Sequence, residues 1–326
     1  MPESQFQNFN HLKIHTQYSI CEGAAKIDDL QDYSKNNKLK SLGLCDSTNL
    51  CGALEFAEKI SKSGTQPIIG TQINFKNGDT IGLLPLFALN EVGYKNIINL
   101  SSSSYLTNNE LSEPHVEFKD LLLNSEGVAI FSGTVFGLFG KLFEKGKFTE
   151  IHNLYDQIKK SFGDRFYIEI QRHNDLNEVG FEKFNLKLSS ELEIPIIATN
   201  EVFYISKDMH EAHDALICIG HKTYVNEKNR LKFTDQHYLK TNSEMSELFA
   251  DLPEALENNY NFPYRCNFRP TFSNPILPNI SSNKDGDADE ILKKDSLEGL
   301  KLKFNTVFEI KNEELEKNST YLEYKQ

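Results

Sequence analysis

Along residues 11–201, short apolar runs alternate with stretches of helical period. HLKIHT reads as a first strand. In IDDLQDYSKNNK, Ile27, Leu30 and Tyr33 fall on one helical face. SLGLCD is a second strand, followed by the helix LCGALEFAEKISKSG. PIIGTQINF and GLLPLFAL are a third and a fourth, and the helix EVGYKNIINLSS comes after them. GVAIFSG, FYIEIQ and IPIIATNE complete the strands. GLFGKLFEK, FTEIHNLYDQIKKSFG and FEKFNLKLSSELE are helical in pattern. Roughly seven strands, each trailed by a helix, predict a parallel α/β architecture, open or closed. Asp46 or Ser47 is the expected cap of the second helix, and Asn90 that of the helix beginning EVGY. From Arg269 the composition changes to RPTFSNPILPNISSNKDGDADE, which is linker-like. DEILKKDSLEGLKLKF then reads as a helix, before a charged end.

The chain has 326 residues, 39% of them hydrophobic, enough for one large domain or two smaller ones. Its net charge of −12, with no dense Lys/Arg run, predicts poor DNA binding by this segment alone. Cys21, Cys45, Cys51, Cys218 and Cys266 are scattered and odd in number, against a disulfide framework or a thiolate zinc site. MPESQFQNFNHLKIH lacks a signal pattern, and no apolar run reaches membrane-spanning length. A soluble cytoplasmic protein without a membrane partner is the expectation.

In a parallel βα array, functional side chains gather at the carboxyl ends of strands. His15, Glu22, Asp46, His173 and Glu201 stand there and offer oxygen and nitrogen donors for divalent metals. The plainer reading is that such groups cap helices and bond to loops. Glu55 reads as a solvated helix residue. His210 and His213, spaced i, i+3, read as surface or packing residues. No GxxxxGK[ST] phosphate loop or GxSxG elbow is present.

HLKIHTQYSICEGAAKIDDL resembles the opening of the polymerase and histidinol phosphatase (PHP) domain of bacterial DNA polymerase III alpha subunits. LGLCDSTNLCGALEFAEKISKSGTQPIIGTQI, YIEIQRHN, IPIIATNEVFY, EAHDALICIGHKTYVNEKNRLKF and HYLKTNSEMSELFADLPEALENN follow in that family's order, over about residues 8–270. The resemblance implies a distorted (β/α)7 barrel over 1–270. Residues 271–326 would be a linker and the beginning of a helical connection to the polymerase palm. The family's metal pattern is eroded. Lys13 stands for the first histidine, and His15 keeps the second. Glu22 fills the acidic position. Asp46 is kept, but Ser47 replaces histidine. Gln72 replaces glutamate, Leu83 a histidine and Thr134 a cysteine. His173 is kept, and Glu201 and Phe203 replace the final aspartate-x-histidine.

An ammonium has no lone pair and cannot ligate a cation. With about half the donors gone, no metal-dependent activity or bound metal is expected, and Lys13 is expected to pair with Glu22, Asp46 or Glu201. The resemblance implies a parent nucleotidyltransferase that uses Mg2+ at palm aspartates downstream. The chain reads as a fragment ending before them, inactive alone. It implies as partners the rest of the alpha chain, the proofreading exonuclease subunit and other holoenzyme subunits, with DNA reached only through the full-length protein. The Phe131–Phe143 stretch reads as core or as a docking face. Two alternatives stand beside this one. The first is an active metal-dependent phosphoesterase or 3′–5′ exonuclease of the same fold. The second is a stand-alone histidinol-phosphatase-like enzyme.

Overall fold

The computed structural model describes residues 9–107, 113–275 and 288–325. It divides into two compact units, Met1–Phe272 and Ser273–Gln326. In the second unit, helices Ala288–Val307, Asn312–Leu315 and Ser319–Lys325 enclose a small core of Phe304, Leu315 and Tyr321. The expected linker falls partly on 276–287, outside the described residues.

Among the described residues the first unit has nine strands: β1 Lys13–Ile14, β2 Ser41–Ser47, β3 Gln66–Asn77, β4 Thr80–Ala88, β5 Val116–Glu117, β6 Val128–Phe131, β7 Phe166–Ile170, β8 Ile196–Ala198 and β9 Glu201–Val202. A seven-stranded sheet runs β2-β3-β4-β6-β7-β8, with β5 beside β3, and β1 pairs in parallel with β9. The curled sheet agrees with the distorted barrel. One strand departs from the parallel rhythm: β4 is antiparallel to β3 and to β6, with no helix before it. The cause is local. Asn77-Gly78-Asp79-Thr80 makes a two-residue hairpin loop, and Gly78 at its first position has φ +58°.

Alternation sorts the strand residues into two layers. Phe166, Ile168 and Ile170 of β7, with Leu84, Leu86 and Ala88 of β4, join the large core under the helices. Leu12, Cys45, Ile68, Phe87, Phe131 and Tyr167, packed against Phe262, form a separate interior cluster. Gly43 lets β2 approach the first strand, since a Cβ there would sit 2.3 Å from the Leu12 carbonyl oxygen. The two ends of the unit are clasped together. The Asn10 amide N–H donates to Asn259 Oδ1 at 2.8 Å, and Asn259 Nδ2 donates to the carbonyls of Asn10 and Ala198 at 2.9 and 3.0 Å.

Asn90 caps its helix as expected, accepting from Gly93 N at 2.9 Å. The second helix begins later than expected. Gly52 is its N-cap, and neither Asp46 nor Ser47 caps it. In the Phe131–Phe143 stretch, Phe131, Leu138, Phe139 and Leu142 are buried in the core, and Phe136 is exposed.

Candidate functional site

The register of β1 on β9 sets Lys13 opposite Glu201, and the register of β2 on β3 sets Ser47 opposite Gln72. These pairings bring much of the expected residue set to one polar centre. Lys13 is fully buried, with Nζ 3.3 Å from both Glu169 Oε1 and Glu201 Oε1. Gln72 Nε2 donates to Glu201 Oε1 at 2.6 Å and lies 3.0 Å from His15 Nε2. His15 Nε2 is 3.1 Å from Glu201 Oε1, and its Nδ1 faces the hydroxyls of Ser47 and Ser19 at 3.3 and 3.4 Å. Asp46 accepts from the Thr16 amide at 2.6 Å and the Ser19 hydroxyl at 2.7 Å, so its oxygens are already engaged.

Of the three acids expected to pair with Lys13, only Glu201 does so; the second partner is Glu169. Asp46 is held by Thr16 and Ser19 instead. Glu22 is half-buried, and its backbone carbonyl accepts from His213 Nε2 at 2.8 Å. Leu83 and Thr134 are half-buried, and Thr134 Oγ1 accepts from Phe136 N. Phe203 stacks on the His15 ring at 4.5 Å and packs at a tilt against Phe233 at 4.7 Å, filling the mouth with aromatic carbon.

The electrostatics follow from burial and pairing. Burial works against the Lys13 ammonium, but Glu169 and Glu201 outweigh it and raise its pKa, so the charge is retained. Burial alone would push Glu201 up; Lys13 and His15 overcome this and hold it well below the ordinary carboxylate range. For Glu169 burial prevails over Lys13, and its pKa is raised. Burial also raises Asp46 and lifts the Cys45 thiol well above its ordinary value.

Glu169 is the main residue that motif reading missed. It lies within the apolar run FYIEI, but its parity with Tyr167 turns it to the barrel interior, which was the available signal. Asp175 and His237 were missed as well. Both lie in irregular segments; Asp175 follows His173 closely in sequence, and His237 meets the two only in three dimensions. His173 is buried and stacked on His237 with centroids 4.1 Å apart. Burial, together with His237 and Lys240, drives its pKa well below the ordinary value. His173, Asp175 and His237 are a group of side chains able to hold a metal ion, so the expectation of no metal is not established. His210 and His213 fill packing roles on Phe233 and Glu22 carbonyls. Glu55 is not free in solvent: it accepts from Tyr18 Oη at 2.6 Å and pairs with Lys59 at 2.8 Å.

The family model described as PHP domain matches residues 11–173. The chain belongs to the PHP domain family. Relatives named DNA polymerase III subunit alpha include one from Caulobacter vibrioides, 36% identical over 311 residues, 93% of this chain and 27% of that one. Another, from Borreliella burgdorferi, is 36% identical over 316 residues, 92% of this chain and 27% of that one. A third, from Rickettsia conorii, is 35% identical over 309 residues, 94% of this chain and 26% of that one. The chain thus spans about a quarter of the length of the curated relatives it matches. Among solved structures, an amidohydrolase from Chromobacterium violaceum gives a TM-score of 0.42 at 12% identity, covering 60% of this chain and 87% of that one; the likeness is too distant to bear on the assignment. No described helix of this PHP domain is long and apolar enough to cross a membrane.

Proposed function

We propose that this chain is the PHP domain of a replicative DNA polymerase alpha subunit, with a barrel mouth that serves as a structural polar network rather than a phosphoesterase centre. The observation carrying this reading is the buried Lys13 ammonium between Glu169 and Glu201. It stands where the family's pattern has a metal-ligating histidine. The residues present do not fit a metal cluster there. Lys13 brings a positive charge and no lone pair. Gln72 is neutral and Phe203 offers no donor, while the Asp46 oxygens are taken by Thr16 and Ser19. No hydrolytic step is assigned to this mouth.

In this reading the domain occupies 1–270, and 271–326 leads toward the palm, where Mg2+ would support nucleotidyl transfer by the full-length protein. Its role is architectural. It packs against the rest of the alpha chain and docks the proofreading exonuclease subunit and other holoenzyme subunits, with DNA reached through the full-length protein. The net charge of −12 suits protein partners better than phosphate backbones. The test measures hydrolysis of a phosphomonoester and of single-stranded DNA 3′ ends by the purified chain with Mn2+, Mg2+ or Zn2+. The expected result is no turnover above an Asp46→Asn control; metal-dependent turnover that this substitution abolishes would overturn the reading. Failure of the exonuclease subunit to bind at micromolar concentration would remove the docking role.

A further inference from the structure

After the helix His210–His221 the chain leaves regular structure and runs as an exposed loop over residues 222–232. Lys222, Lys228, Arg230 and Lys232 stand in it against one acid, Glu227. In a chain of net charge −12 this is a local reversal of sign. The loop is braced from below. Arg230, its side chain 3% exposed, grips Asp214 of the preceding helix with both terminal nitrogens, Nη1 to Oδ1 at 2.6 Å and Nη2 to Oδ2 at 2.7 Å. The same guanidinium donates to the carbonyls of Val225 and Leu231 at 3.0 and 3.2 Å. Glu227 closes the turn. Its amide donates to the Tyr224 carbonyl at 3.0 Å, and its carboxylate accepts from the Tyr224 amide at 3.0 Å. The Thr223 amide donates to the Cys218 carbonyl of the helix at 2.9 Å.

The charges of Arg230 and Glu227 are engaged in this bracing. Left facing water are Lys222, Lys228 and Lys232, which form no ion pair among the described residues, around Tyr224 at 75% and Val225 at 58% exposure. A buried guanidinium–carboxylate pair carries a desolvation cost, yet here it orders a loop whose aromatic and aliphatic tip stays in water. A loop ordered in advance loses less entropy when it binds. Lysine meets phosphate as a point charge, and an exposed ring is a platform for an unpaired base. A duplex hides its base faces. An acidic protein segment would meet the ammoniums but offers the ring no run of planar faces. We propose that the loop of residues 222–232 binds single-stranded DNA, with Lys222, Lys228 and Lys232 on the phosphates and Tyr224 stacked on a base. The inference rests on reading the domain as part of a DNA polymerase, and it uses no residue of the Lys13 network. The acidic remainder of the surface does not forbid the contact. At physiological ionic strength charges beyond about 8 Å are screened, while the lysines act at contact distance. The contact is weak in this chain alone and adds to the DNA binding of the full-length protein.

The test titrates the full chain into a fluorescently labelled oligothymidylate and reads anisotropy, with a duplex of the same length and an oligoglutamate peptide as competitors. Three lysine–phosphate contacts predict a log–log salt slope of about −2, so affinity should fall about 18-fold between about 50 and about 200 mM salt. The triple variant Lys222→Gln, Lys228→Gln, Lys232→Gln should bind at least about tenfold more weakly and lose most of that slope. Tyr224→Ala should bind about tenfold more weakly with the slope unchanged, as loss of one stacked base does. All four positions are exposed and Arg230 is kept, so circular dichroism of the variants should match that of the unmodified chain. No saturable binding at millimolar chain, or binding that the triple variant leaves unchanged, would overturn the proposal. So would displacement by the duplex or by oligoglutamate as effective as by unlabelled single strand together with indifference to Tyr224→Ala, which would mark a general polyanion or acidic-protein surface. Exonuclease-subunit docking and the phosphoesterase assay use other partners, so either can fail while this binding stands, and its loss leaves both untouched.

Discussion

Replacing Lys13 with Met removes the ammonium that pairs with both Glu169 and Glu201 while keeping much of the side chain's volume. At 3.3 Å and an effective dielectric of about 20, each contact is worth about 5 kcal/mol of Coulomb energy before desolvation is counted. Burying the ammonium offsets much of this. What remains when one member is deleted is an uncompensated buried carboxylate, at about 3–5 kcal/mol. Chemical denaturation of the Lys13→Met chain at neutral pH should show that loss, and 1 M salt should leave it unchanged because the pair is shielded from solvent. Glu201→Gln removes the stranded charge, so the Lys13→Met/Glu201→Gln chain should be less destabilised than the sum of the single changes. A coupling of about 1–3 kcal/mol is expected from the double-mutant cycle. A Lys13→Met loss below about 1 kcal/mol, or a coupling of zero, would refute the reasoning, since it would mean the ammonium does not compensate these carboxylates.

Glu201 sets an acid limit. Its folded pKa lies well below the ordinary 4.5, so its contribution is complete above that pH and is lost as pH falls toward the folded value. Acid titration of stability should show this limb in the unmodified chain and a weaker one in Lys13→Met. Lys240 acts at the alkaline side. Burial lowers it from 10.5 to about 8, so between those values the unfolded chain binds the extra proton and stability rises with pH. Denaturation midpoints from pH 7.5 to 10.5 should climb in the unmodified chain and lie flatter in Lys240→Met. Phe203→Ala opens space between His15 and Phe233 and should cost about 3–5 kcal/mol by chemical denaturation; a cost under about 1 kcal/mol would show that the stack is not packed.

The sequence carried the fold unevenly, for physical reasons. Amphipathic period located helices such as Ile27–Asn37 and Phe148–Phe162 closely, because their buried faces are continuous in sequence. It did not reveal the direction of β4, since a fully buried strand has the same composition whichever way it runs; only the Gly78-Asp79 turn carried that information. At the site, residues at strand ends were legible by position, so Lys13, His15, Asp46 and Gln72 were named. Glu169 was not, because a lone acid inside an apolar run becomes visible only when strand parity is followed inward. Asp175 and His237 are separated by 62 residues of sequence, and no local spacing marks their meeting.

The Asn10–Asn259 clasp joins residues 249 apart in sequence. Closing a loop of that length has an entropic cost of about 5 kcal/mol from chain length alone. The bonds that fasten the first strand are thus late arrivals during folding. On the ribosome, Asn10 waits for almost the whole domain to emerge before its own amide finds an acceptor. A chain released before Asn259 would present the strand bearing Lys13 without its final fastening.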